Sequence, residues 1–188
     1  MTTPEISPEI TPDLSAAVCH TRPKVVLVGP PGAGKSTIGR RLARALSLPL
    51  VDSDQLIEEE TGHSCGDVFS DLGEPAFREL EARHVAEALT TGGVVSLGGG
   101  AVLTDSTREL LAGHCVVWID VSVEEGVRRT AHEATRPVLA SEDPAAHYRN
   151  LLEQRAPLYH EVADFRVRTD GRTPQQSVAD ILGFLDTL

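Results

Sequence analysis

Nowhere in the 188 residues does an apolar run approach the roughly 20 positions needed to cross a bilayer. The first residues also lack the basic stretch and apolar segment of a secretory signal. Cysteine is scarce: Cys19, Cys65 and Cys115 are odd in number and without metal-ligand spacing, so they define neither a disulfide framework nor a zinc site. Idle thiols in a reducing cytoplasm are the expectation, with no membrane partner. Positive charge is short as well. Seventeen Lys and Arg stand against 28 Asp and Glu, a formal net charge of −11. Proteins that grip nucleic acid do so chiefly through Lys and Arg, so nucleic acid is not an expected partner. A small anionic substrate remains open, because it needs only a few arginines focused in one cleft.

What is present describes one α/β domain: 40% hydrophobic and 24% charged residues, on a chain long enough to bury a core. Residues 1–23 differ from the rest. Pro4, Pro8, Pro12 and Pro23 punctuate a Thr-, Ser- and Glu-rich segment in which Pro-Glu-Ile occurs twice. Such a segment buries too little to offset its ordering entropy, so a disordered tail is expected, with the folded domain over 24–188. From Lys24 the pattern alternates. Val25-Val26-Leu27-Val28 is a continuous apolar run, as in a strand buried on both faces. A Gly-rich turn follows, then Ile38, Leu42, Ala45 and Leu46 at helical spacing. Further strands are expected over 50–52, 94–97, 115–119 and 165–168, with helices over 55–60, 74–89, 105–111, 123–130, 146–159 and 174–188. Alternation of this kind implies a parallel sheet with helices on both faces.

The segment Gly29-Pro-Pro-Gly-Ala-Gly-Lys35-Ser36 satisfies G-x-x-x-x-G-K-[ST] between a strand and a helix, the context that gives the motif its meaning. Backbone N–H groups of Gly32, Ala33 and Gly34 can close around phosphate oxygens, and the helix N-terminus adds a favourable dipole. Lys35 brings charge to the β- and γ-phosphates, and Ser36, followed by Thr37, offers a hydroxyl to Mg²⁺. The motif points to ATP and says nothing of the acceptor.

Other residues are candidates for the acceptor side. Asp52 and Asp54 end the second strand, at the sheet edge where open parallel sheets bind ligands. Asp52 can sit near the metal. Asp54 can bind an acceptor hydroxyl and take its proton, or simply cap the following helix; spacing leaves both open. Arg78 with Glu81 is either an ordinary ion pair or an arginine aimed at an anion. Gly98-Gly99-Gly100 suggests close approach to the backbone, although a flexible loop has the same composition. The polar stretch 131–144 is too long for a tight connection and reads as a lid, with Arg136 placed to bring positive charge to the transferring phosphoryl. Arg155 is a second candidate anion holder.

Gly-Ala-Gly-Lys-Ser-Thr (32–37), Asp-Ser-Asp (52–54), Phe-Arg-Glu-Leu-Glu (77–81), Leu-Gly-Gly-Gly-Ala-Val (97–102), Arg-Pro-Val-Leu (136–139) and Arg-Ala-Pro-Leu-Tyr (155–159) occur in this order. Together they resemble the shikimate kinase family over nearly all of 24–188. The resemblance implies a three-layer P-loop kinase fold with a five-stranded parallel sheet in the order 2-3-1-4-5 and a mobile lid. It implies ATP and shikimate as substrates and Mg²⁺ as cofactor. A cytoplasmic location is the default from composition, and a monomer is expected. Lys35, Asp54 and Arg136 would be catalytic, with Ser36 and Asp52 at the metal. Asp54, Arg78, Gly98, Gly99, Gly100 and Arg155 would hold shikimate, the two arginines on its carboxylate. Arg129, Arg136 and Arg172 would lie near the nucleotide. A gluconate-kinase-like enzyme would keep the phosphate loop and change the acceptor residues. A nucleoside monophosphate kinase would need a base pocket, and a regulatory nucleotide-binding module would lose Lys35, Asp54 or Arg136.

Overall fold

The computed structural model describes residues 22–131 and 142–188. Residues 1–21 of the expected tail and most of the expected lid, including Arg136, lie outside them; Pro23, read as the end of the tail, instead opens the first strand.

Five parallel strands, β1 (Pro23–Val28), β2 (Leu50–Asp52), β3 (Gly93–Ser96), β4 (Val116–Asp120) and β5 (Phe165–Arg168), are ordered β2-β3-β1-β4-β5. Successive side chains of a strand point to opposite faces, so the apolar run of β1 feeds two cores. Val25 and Leu27 pack with Ile38, Leu42, Val178 and Ile181. Val26 and Val28 pack with Val85, Ala88, Trp118 and Tyr159 on the other side. The first core is closed by α1 (Lys35–Leu46) and α8 (Pro174–Leu185), the second by α4 (Glu74–Ala88), and α7 (Pro144–Val162) reaches both, with Tyr148 in the first and Tyr159 in the second. This is the three-layer architecture with the expected strand order.

Three local readings are corrected. Helix α2 spans Ser53–Thr61, two residues earlier than expected, because Asp52 is its N-cap, accepting from the N–H groups of Asp54 (3.0 Å) and Gln55 (3.4 Å). A helix not expected, α3 (Cys65–Leu72), follows, its Ser64 cap accepting from the Asp67 N–H. Helix α7 begins at Pro144, the last residue of the expected lid and two residues before the expected helix, since Asp143 caps it and proline suits the first helical position. Helices α2, α3 and α4 enclose a small core of Ile57, Val68 and Phe77. A 3₁₀ turn (Ala101–Leu103) leads to α5 (Asp105–Leu111), and α6 (Val123–Thr130) follows β4. No helix among the described residues is long and apolar enough to cross a membrane.

Candidate active site

The phosphate loop leaves the C-terminal end of β1 at Gly29, whose φ of 148° and contact with the Ile119 carbonyl leave no room for a Cβ. The loop's carbonyls are held by side chains. Lys35 Nζ donates to Gly29 O (2.7 Å) and Pro30 O (3.0 Å). Arg129 Nη1 donates to Gly32 O (3.2 Å) and Ala33 O (3.4 Å), and Thr169 Oγ1 donates to Ala33 O at 3.2 Å. Holding these carbonyls fixes the backbone of a glycine-rich turn, the kind of loop whose N–H groups can bind an anion. Glu125 holds Arg129 through Nε at 2.7 Å, and the guanidinium groups of Arg128 and Arg129 lower its carboxyl to about 2. The brace therefore keeps its charge through the physiological range.

Beside the loop lies a cavity of about 530 Å³ lined by Thr37, Arg128, Arg129, Thr169, Arg172 and Ser177. Arg172 is paired there with Asp180 at 2.6 Å. Thr169 was not singled out by sequence; a threonine after a short edge strand carries no local signal of its partners. Arg129 contributes more than proximity, since it braces the loop backbone.

On the other side of the loop, three consecutive glycines each meet one of the acceptor candidates. A Cβ on Gly98 would collide with Asp54 Oδ1, one on Gly99 would lie 3.5 Å from Arg155 Nη1, and one on Gly100 would collide with the Arg78 guanidinium. Charged side chains crowd the backbone at Gly98 and Gly100, whereas the tight neighbour of Gly99 is Pro31 Cδ at 3.1 Å, with Arg155 at ordinary contact distance. The hydroxyl of the buried Ser53 accepts from the Gly98 N–H at 3.0 Å and fixes the loop to α2. Asp54, in the first turn of α2, is not the cap; Asp52 is.

Arg78 Nη1 donates to Glu81 at 2.6 Å and lies near the rings of Phe69 and Phe77, with its CZ atom 5.9 and 5.5 Å from their centroids. Glu81 is only 2% exposed, and burial pushes its carboxyl up against the opposing pull of Arg78. An ion pair this enclosed is not the solvated helix pair that its i,i+3 spacing suggests. Arg78 and the buried Arg155 line one cavity of about 360 Å³, with Phe69, Leu103, Asn150 and Gln154. Glu81→Ala is expected to lower the unfolding free energy by about 2 kcal/mol, less than the roughly 3–5 kcal/mol of a fully buried broken pair because Arg78 keeps partial solvent access. Urea denaturation measures it, and kinetics should show a raised KM for the acceptor as Arg78 loses its anchor.

Ser36, Asp52 and Asp54 line a further cavity, of about 430 Å³. No group of three His, Cys, Asp or Glu residues that could hold a metal occurs among the described residues. A hydroxyl and a carboxylate beside a phosphate loop nevertheless suit Mg²⁺, a hard ion that keeps several waters and takes phosphate oxygens as ligands.

A family model described as shikimate kinase matches residues 31–186. The chain is 76% identical to a shikimate kinase of Corynebacterium efficiens over 165 residues, covering 88% of this chain and 98% of that protein. It is 52% identical to one of Mycobacterium tuberculosis over 164 residues, covering 87% and 93%. Among solved structures, a shikimate kinase from Acinetobacter baumannii in complex with shikimate superposes with a TM-score of 0.84 at 36% identity, covering 89% of this chain and 94% of that one. With a matching family model, high identity over nearly the full length of relatives, and the same fold, the chain belongs to the shikimate kinase family.

Proposed function

We propose that the chain transfers the γ-phosphoryl group of ATP to the 3-hydroxyl of shikimate, forming shikimate 3-phosphate for chorismate and aromatic amino-acid biosynthesis. The observation that carries this is the convergence of Asp54, Arg155 and Arg78 on Gly98, Gly99 and Gly100, beside the phosphate loop. Two arginines facing one cavity suit a carboxylate, and an aspartate nearby suits a vicinal diol. Buried polar groups of this kind penalise an acceptor that leaves them unpaired, which argues against a sugar acid with a different hydroxyl pattern.

In this reading Lys35 and the loop N–H groups bind the phosphates, with Arg129 and Arg172 beside the nucleotide. Asp54 orients the acceptor hydroxyl and takes its proton. Arg78 and Arg155 fix the carboxylate, and Gly99 and Gly100 form the floor under the ring. Ser36, with Asp52 through water, would hold Mg²⁺, which supplies positive charge at the transferring group. Arg136, outside the described residues, is assigned to the same phosphates from its sequence context. We take the enzyme to be a cytoplasmic monomer.

A coupled assay of ADP release tests the reading: turnover should require shikimate, and turnover indifferent to it would overturn the assignment. Within the site, Arg155→Lys should not be conservative. Lysine keeps the charge and loses the planar fork that binds a carboxylate through two parallel hydrogen bonds. The KM for shikimate should rise roughly tenfold or more, as expected for one charge-assisted hydrogen bond, with the KM for ATP little changed. A rise confined to ATP would mean that the acceptor map is wrong.

A further inference from the structure

The chain has two tyrosines, and both lie fully buried on one face of α7. Tyr148 Oη donates to the carbonyl of Pro31 in the phosphate loop at 2.6 Å. Tyr159 Oη donates to the carbonyl of Gly99 in the acceptor loop, also at 2.6 Å. Three turns of helix separate them, about 16 Å along the axis, with Arg155 on the same buried face between them.

The carbonyls they hold belong to loops that touch: a Cβ on Gly99 would stand 3.1 Å from Pro31 Cδ. To reach Pro31, the Tyr148 ring passes over α6 at Gly126, where any side chain would overlap the phenol. Tyr159 is packed beside Trp118, ring centroids 5.7 Å apart. Phenylalanine would fill either space without having to bury a hydroxyl, and a buried hydroxyl is unfavourable unless it is bonded. Packing alone therefore does not explain the hydroxyls: each is bonded to a loop carbonyl, and that of Tyr159 also lies beside the Arg155 guanidinium. Burial raises both phenols above their ordinary value, Tyr159 to about 12, so both remain donors at neutral pH.

We propose that α7 is a two-point clamp in which Tyr148 and Tyr159 act as positioning residues, one for the nucleotide loop and one for the acceptor loop. A single helix then sets the register between the phosphoryl donor and the hydroxyl that receives it. Such register matters because an ångström of misplacement is enough to slow a transfer between oriented reactants. The clamp rests on the reading of these loops given above.

Tyr148→Phe and Tyr159→Phe remove one hydroxyl each and keep the rings. Tyr148→Phe should raise the KM for ATP roughly five- to tenfold, the range one buried hydrogen bond accounts for, and leave that for shikimate within about twofold. Tyr159→Phe should do the reverse, and both should lower kcat. Gly126→Ala, which displaces the Tyr148 ring, should reproduce the Tyr148→Phe pattern, so the donor arm is tested even where Tyr148→Phe fails to fold. Equal changes in both constants, or a fall in Tm with neither constant altered, would overturn the clamp. Shikimate-independent turnover by the unmodified enzyme would instead overturn the underlying reading, so the two failures are distinguishable.

Discussion

Asp54→Asn is expected to lower kcat by roughly a hundredfold or more while the protein folds as before, since a positioned base contributes about 10² to 10⁴ to rate. Asparagine has the shape of aspartate and can still hydrogen-bond a hydroxyl, but it cannot take the proton. The structure makes the expectation specific. Helix α2 is capped by Asp52, so replacing Asp54 removes no cap. The tight fit of Asp54 against Gly98 is also preserved by an isosteric side chain. Acceptor binding should weaken as well, because the diol loses a charged acceptor. Single-turnover kinetics separate the two effects. A near-normal rate in the chemical step would remove Asp54 from the role of base.

Lys35→Ala should be at least as severe. Removing one donor aimed at charge that develops in a transition state typically costs about 10² to 10³ in rate. Here the lysine has a second task, because its Nζ ties Gly29 and Pro30 carbonyls at 2.7 and 3.0 Å. Its loss should loosen the loop and raise the KM for ATP together with the fall in kcat. The strand beneath is held by the main core, so thermal melting should shift little. A variant that keeps near-normal turnover would end the phosphate-loop assignment.

The fold was legible where one residue pattern has one physical solution. A continuous Val-Val-Leu-Val run followed by Gly-rich turn and helix can bury both strand faces only inside a sheet, and β1 does so. Helix α3 was not legible, being eight residues long and resting on a small satellite core of Ile57, Val68 and Phe77. The Asp52–Asp54 ambiguity came from a two-residue error in the start of α2, which decides which aspartate caps.

The acceptor site was legible only as a resemblance. Arg78 and Glu81 have the spacing of an exposed ion pair, and only the packing of α2, α3 and α4 reveals that Glu81 is buried. The triple glycine announced a close approach without saying by what; three charged side chains from three helices, and Pro31, are the answer. Tyr148 gives no signal and Tyr159 only a place in the Arg-Ala-Pro-Leu-Tyr phrase, because their partners are backbone carbonyls 117 and 60 residues away.

The central claim is an orientation: shikimate lies with its carboxylate between Arg78 and Arg155, its ring on Gly99 and Gly100, and a hydroxyl on Asp54. A crystal structure of this chain soaked with shikimate tests it most directly. The account predicts carboxylate oxygens within hydrogen-bond distance of both guanidinium groups and the 3-hydroxyl turned toward Asp54 and the phosphate loop. Shikimate bound with its carboxylate toward Asp54, or in the cavity between Thr37 and Arg172, would contradict it.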